Sequence, residues 1–252
     1  MLGVQAWGRT RAAMRHLLVP ALLVGGLGVI LHGWLLAISV GAESGLSLGL
    51  TNVASVTAWL IALLALLATM RKPLRGLSAF LLPAAAIGAA VTGLGPQRFT
   101  TTTRWALDAH ILLSVTAYSL FSIAAALAVL MALQQRRLRA GPPLGWVTVL
   151  PPVEAMERAL FATIAVGFGL LSLALFSGLV FLDNWLAQHL VHKTVLSVIA
   201  WVVFAVLLLG RWRYGWRGSR AVYLTLGGFG VLALAYFGSK LVLEAILGEQ
   251  WG

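Results

Sequence analysis

The chain has 252 residues, of which 60% are hydrophobic and only 10% are charged. A water-soluble chain of this length needs more polar residues to cover its surface, so the composition excludes a soluble globular protein. The absence of cysteine excludes disulfides, thiolate metal sites and cysteine-based redox chemistry. The formal net charge of +11 does not indicate binding to nucleic acid, because the arginines fall in short clusters between apolar runs.

Seven apolar runs are long enough to cross a bilayer, which takes about 20 residues per helix. In chain order they are residues 17–40, 48–70, 74–94, 108–133, 156–182, 189–210 and 221–247. The first run is too long for the core of a signal peptide and has no small-residue cleavage site, so it predicts a retained helix. The connection at residues 71–75 is so short that helices two and three must form an antiparallel hairpin. The sequence predicts an all-α, polytopic transmembrane bundle of about seven helices, with one domain over residues 1–252.

Positive charge in alternate connections predicts the orientation of the bundle. One side receives the arginines of residues 9–15, 71–75, 136–139 and 211–220. The other side receives Arg98 and Arg104 in loops, with Lys193 and Lys240 near helix ends. Because basic connections remain in the cytoplasm, the N-terminus is predicted to be cytoplasmic and the C-terminus outside. The expected location is the bacterial inner membrane, as a multi-pass protein embedded in the lipid bilayer.

Four of the five histidines are predicted to lie towards the outer side of the bundle. His32 falls in the outer half of helix one, His110 opens helix four, and His189 and His192 open helix six. The i, i+3 spacing puts the last two on roughly one side of their helix. Singly, each is typical of a packing or interfacial histidine. Together, without cysteine and with few carboxylates, they favour ligation by imidazole alone, which suits haem better than zinc or magnesium. His16 lies on the cytoplasmic side and is left out of this site.

Two tryptophans flank the same outer edge, Trp105 before helix four and Trp185 before helix six. They are typical of the interfacial aromatic belt, and stacking on haem is the alternative. Six of the seven acidic residues fall in loops or at helix ends, and Glu244 follows Lys240 at i+4. Ion-coupled transporters usually bury a carboxylate at membrane depth, so this distribution counts against ion-coupled transport.

Several segments, in their order and spacing, resemble a known family. They are Leu31-His32, Asn52-Val53 with Trp59, His110 to Ser114 with Ala117-Tyr118, Met156-Glu157-Arg158, Gly167-Phe168, Ser177-Gly178, Lys193-Thr194 through Ala200-Trp201, Gly215-Trp216-Arg217-Gly218 and Tyr236-Phe237-Gly238. The chain resembles the cytochrome c assembly proteins of the CcsA and CcmC type, and within them the bacterial inner-membrane branch typified by YpjD.

The resemblance implies that the chain handles haem at the outer face of the membrane. Members hold haem between histidines and aromatic residues and present it for cytochrome maturation, and His110 matches the histidine that precedes the family's Trp-rich segment. The chain departs from the family where residues 181–185 replace that segment, and where no histidine follows Tyr236-Phe237-Gly238. The family also commonly begins with one more hydrophobic helix, so the resemblance allows for an upstream start or a lost helix.

The expected function is therefore haem binding in support of cytochrome c assembly, with no bond change catalysed by the chain. Other assembly proteins or the apocytochrome are the expected partners, and nucleic acid is not. Two alternatives stay open. One is a transporter or accessory membrane subunit for a small molecule or metal ion, and the other is a scaffold with a degenerate haem site.

Overall fold

A computed structural model of the chain describes residues 2–42, 45–46, 50–92, 105–141, 145–181 and 188–235. The helices are α1 (Leu2–Val40), α2 (Leu50–Met70), α3 (Ser78–Thr92), α4 (Trp105–Ala140), α5 (Val153–Phe181), α6 (Gln188–Tyr214) and α7 (Ser219–Ala233). Short 3-10 helices cover Lys72–Leu77 and Gly145–Thr148. Two two-residue strands, β1 (Gly41–Ala42) and β2 (Gly45–Leu46), pair in antiparallel fashion after α1, with Gly41 opposite Leu46.

The predicted all-α architecture and the seven helices are confirmed within the described ranges. The helix bounds differ most where charged residues continue a helix beyond the apolar run. Helix α1 begins at Leu2 and not at residue 17, α4 ends at Ala140 and not near residue 133, and α6 ends at Tyr214 and not at residue 210. Arginine, glutamine and leucine are good helix formers, so the helix continues after hydropathy has fallen. Residues 236–247 of the last predicted helix lie outside the described residues.

Four helices of the described chain are long and apolar enough to cross a membrane, over Val19–Ile38, Leu107–Ala140, Val153–Val180 and Lys193–Tyr214. Two shorter apolar segments, Ser55–Met70 and Leu74–Ile87, belong to the hairpin of α2 and α3. The chain is thus a multi-pass membrane protein. Crossings beyond these four, and the orientation of the termini, stay predictions.

Helix α4 is the central helix and contacts α2, α5 and α7. Its Phe121 ring stacks on Phe204 of α6, with ring centroids 3.9 Å apart and planes inclined by 15°. Glycines make room for this pair, because a Cβ on Gly167 of α5 would lie 3.3 Å from Phe121 and a Cβ on Gly228 of α7 would lie 2.9 Å from Phe204. Small residues at these crossings let the backbones approach closely, which is how helices gain packing energy in lipid.

The arginine-rich connections meet at one end of the bundle. The backbone of Gly76, after α2, lies directly against the carbonyl of Val149, before α5. The Gln134 side chain on α4 donates to the Pro151 carbonyl at 2.9 Å. Glu157 on α5 accepts from Arg211 on α6 at 2.7 Å. The connections after α2, α4 and α6 therefore share one end, as the charge pattern requires.

Candidate functional site

His110 lies near the start of α4, at the end of the bundle opposite the arginine-rich connections. Its Nδ1 is 2.9 Å from the hydroxyl oxygen of Ser177 on α5, which itself donates to the Ala174 carbonyl at 2.9 Å. A serine hydroxyl has one proton, and the geometry of Ser177 allows it to go to the Ala174 carbonyl. In that arrangement His110 Nδ1 carries its own proton and donates to Ser177. This neutral tautomer leaves Nε2 with a free lone pair, the form in which imidazole binds a metal.

The face of α4 that follows His110 is built from small side chains. The Ser114 hydroxyl donates to the His110 carbonyl at 2.8 Å, so it is turned towards its own helix. Ala117, one turn further, is fully buried. Neither side chain takes part in the hydrogen bond of the imidazole, which is only partly buried. Within the described residues, the hydrogen bond that orients the His110 ring thus comes from α5.

His32 lies on a different pair of helices. Its Nε2 is 3.0 Å from the hydroxyl oxygen of Ser55 on α2, and Trp59, one turn along α2, donates to the Val29 carbonyl of α1 at 2.8 Å. Gly33 lies under the Trp59 indole, where a Cβ would come within 3.0 Å of Nε1. These contacts join α1 to α2, and they place His32 at that interface.

The depth of His32 follows from a contact between α2 and α4. The hydroxyl groups of Thr57 and Ser119 are 2.8 Å apart, so Ser55 lies about level with residue 117 of α4. At 1.5 Å of rise per residue, His110 is about 10 Å nearer its end of the bundle than His32 is. The structure therefore places these two histidines on different helix pairs and at different depths.

A cavity of about 340 Å³ lies between α1, α2 and α3. His32 lines one part of it and Thr69 and Ser78 line another, while most of the other lining residues are alanine, glycine and leucine. His110 does not line it. The cavity is mainly apolar and is separate from the hydrogen-bonded imidazole on α4.

The other predicted site residues lie at the edge of the described chain. The backbones of His189 and His192 lie in the first turns of α6, and Trp105 is the first residue of α4. The side chains of these three residues, and all of Trp185, lie outside the described residues. Their contribution stays a prediction.

Two serines that were not among the predicted site residues contact the described histidines. Ser55 and Ser177 are both buried and each bonds an imidazole. The one feature of the sequence that could have pointed to these serines is a hydroxyl residue within an otherwise apolar run. Within the described ranges no group of three or more His, Cys, Asp or Glu side chains could hold a bare metal ion. Haem iron needs only one or two axial ligands from the protein, so a single oriented imidazole fits haem.

The fold and this site define a polytopic helical membrane protein with an imidazole held between two of its helices. The family model described as "Cytochrome C assembly protein" matches residues 22–247. The chain belongs to this family, as the resemblance predicted.

Individual relatives agree with the family assignment. The chain is 32% identical over 206 residues to the inner membrane protein YpjD of Escherichia coli K12, covering 81% of this chain and 78% of that protein. It is 32% identical over 106 residues to the cytochrome c biogenesis protein CcsA of Prochlorococcus marinus, covering 40% of this chain and 33% of that protein. No solved structure matches the chain. With the four apolar spans, the YpjD similarity supports the predicted location, a multi-pass protein of the bacterial inner membrane.

Proposed function

We propose that the protein binds haem non-covalently at the outer face of the membrane, with His110 as an axial ligand, and holds it for cytochrome c assembly. One observation carries the proposal. His110 Nδ1 lies 2.9 Å from the Ser177 hydroxyl, which also contacts the Ala174 carbonyl at 2.9 Å, so with the serine proton on Ala174 the basic nitrogen is His110 Nε2. Metal-binding histidines are typically oriented in this way, through a hydrogen bond from the other ring nitrogen.

The second axial ligand is proposed to come from the start of α6. His192 is the preferred partner, with His189 one turn earlier on the same helix. His32 is the third candidate, and its greater depth and its bond to Ser55 make it the more distant one. Trp105 and Trp185 flank this level in the sequence and are proposed to cover the faces or edges of the porphyrin.

The proposed role is that of a carrier. Haem would supply the iron, and the His110 imidazole beside Ser177 would hold it. The family and the name of the CcsA relative support a place in cytochrome c biogenesis. The expected partners are haem itself and other assembly proteins or an apocytochrome. No bond change by this chain is part of the proposal.

The test is an absorption spectrum of the detergent-purified protein, as isolated and after addition of hemin. Wild type should show a Soret band, and His110→Ala should abolish it or weaken haem binding at least about tenfold, because an axial ligand is lost. His192→Ala or His32→Ala should weaken it partially. His16→Ala is the control and should leave the spectrum unchanged.

Two outcomes would contradict the proposal. A wild-type protein that carries no haem and takes none up from hemin would favour a scaffold with a degenerate site. Equal haem binding by wild type and His110→Ala would remove His110 from the ligand set. Haem retained through purification would in turn argue against a transporter of other small molecules or metal ions.

A further inference from the structure

The connection between α6 and α7 is held in one conformation by its own backbone and by the packing of a half-buried tryptophan on α6. Gly215 and Gly218 adopt φ values of +64° and +60°, which favour glycine. The Trp216 amide donates to the Gly210 carbonyl at 3.2 Å, and the Trp216 indole lies so close over Gly210 that no side chain fits there. This connection is therefore an ordered surface.

One buried carboxylate fixes the connection to α5. Glu157 accepts from Arg211 Nη1 at 2.7 Å and from the Gly218 amide at 3.2 Å. Arg211 also donates to the Trp216 carbonyl at 3.2 Å, so its guanidinium is used inside the protein. Arg217 Nε is 3.8 Å from the same carboxylate, and the Arg217 side chain is 68% exposed. Arg211 makes the shorter contact with Glu157, and Arg217 makes a longer one with most of its side chain exposed.

Two further arginines are held on aromatic rings. The Arg213 guanidinium lies 6.0 Å from the ring centre of Tyr214, and that of Arg220 lies 5.9 Å from the ring centre of Trp216. The two rings stack with centroids 6.3 Å apart. A guanidinium over an aromatic face keeps its N–H edge available for an anion. In the described chain neither arginine has a carboxylate partner.

These arginines lie at the boundary between the apolar span and water. The membrane-spanning part of α6 ends at Tyr214. Trp212, Tyr214 and Tyr223 around it are 84%, 73% and 72% exposed. Exposed tryptophan and tyrosine at the end of a span are typical of the level of the lipid headgroups. An anion bound here would therefore be attached to a lipid, whose acyl chains would lie along α6 and α7.

We propose that Arg213, Arg217 and Arg220, which we call the arginine cluster, bind the phosphate headgroup of an anionic phospholipid. Three exposed guanidinium groups with one carboxylate, already paired, provide more positive charge than a zwitterionic headgroup can balance. Arginine's planar fork suits phosphate oxygens, and the stacked rings of Tyr214 and Trp216 join the places where Arg213 and Arg220 lie. The site uses none of the histidines, so it is independent of the proposed haem binding.

The experiment compares phospholipids on the purified full-length protein in detergent. Phosphatidylglycerol, added in steps, should raise the melting temperature or remain bound in native mass spectrometry, and phosphatidylcholine should not. The double variant Arg213→Gln/Arg220→Gln should weaken phosphatidylglycerol binding about 10- to 30-fold, because two headgroup contacts are lost. The matched control Arg71→Gln/Arg139→Gln removes two exposed arginines from the same end of the bundle and should bind as wild type does.

Three results would overturn the proposal. If the control variant lost as much phosphatidylglycerol binding as Arg213→Gln/Arg220→Gln, the lipid would be held by general attraction to positive charge and not by a specific site. Equal binding of phosphatidylcholine would remove the requirement for an anionic headgroup. If glycerol 3-phosphate at the same concentration stabilised the protein as much as phosphatidylglycerol does, the ligand of the site would be a soluble anion and not a lipid. If the glutamine variant is unstable without lipid, Arg213→Lys/Arg220→Lys keeps both charges and should bind between wild type and the glutamine variant, since lysine lacks the planar fork.

Discussion

At the scale of single residues, the hydroxyl of Ser177 is the group that contacts the His110 imidazole. It lies 2.9 Å from His110 Nδ1 and 2.9 Å from the Ala174 carbonyl, an arrangement in which Nδ1 can donate and Nε2 is the basic nitrogen. If this bond orients the proposed ligand, Ser177→Ala should weaken haem binding about tenfold, the lower end of what partners of metal-bound histidines contribute. The measurement is a hemin titration followed at the Soret band.

The matched control for this prediction is Ser122→Ala. The Ser122 hydroxyl donates only to the Tyr118 carbonyl of its own helix, so the same substitution removes a hydroxyl without touching an imidazole. Ser122→Ala should bind hemin as wild type does. If the two variants bind equally, Ser177 does not position the ligand.

The sequence predicted the imidazole but not its partner, for a physical reason. The apolar runs and the charge in the connections place His110 at the outer start of helix four. The bond to Ser177 depends on how α5 is rotated about its own axis against α4, and a nearly uniform apolar helix carries little sequence signal for that rotation. The same applies to His32 and Ser55, whose contact reflects the packing of α1 on α2.

At the scale of helices, number and order could be predicted from hydropathy because lipid requires long apolar runs. The ends of the helices could not be predicted from hydropathy, because hydrogen bonding within a helix continues past the first charged residues, as it does at the end of α4. The 3-10 turn at Lys72–Leu77 delays the start of α3 to Ser78, since proline at its start and close packing of Gly76 on Val149 fix that backbone.

Packing between helices gives a prediction for a pair of neighbouring glycines on α7. A Cβ on Gly228 would lie 2.9 Å from the buried Phe204 ring, whereas a Cβ on Gly227 would meet nothing within 4 Å. Gly228→Ala should therefore lower the stability by about 1–3 kcal/mol, through overpacking. Gly227→Ala should be neutral or slightly stabilising, because alanine favours helix.

The measurement is the melting temperature of each variant in the same detergent. Phe204 is stacked on Phe121 and fully buried, so it has little freedom to move aside. A Gly228→Ala protein that melts at or above wild type would show that α7 does not pack on α6 as described.

At the scale of the whole molecule, the contacts between connections and the charges of those connections are two independent kinds of evidence about topology. The contacts of Gly76 with Val149, and of Glu157 with Arg211, put the connections after α2, α4 and α6 at one end. The charges predict that this end faces the cytoplasm, because arginine-rich connections stay on the cytoplasmic side of a membrane. The contacts concern how the helices pack, and the charges concern how the packed bundle is oriented in the membrane. One experiment can therefore test the two separately.

Reporters fused to the chain after residues 73, 140 and 215 test both points. Green fluorescent protein should be fluorescent and alkaline phosphatase inactive at all three, and a fusion after residue 100 should give the opposite pattern. Three external signals would mean that the bundle is inserted the other way round, with the proposed haem site on the cytoplasmic side. Disagreement among the three would contradict the packing itself, because connections that touch in the folded protein cannot lie on opposite sides of a membrane.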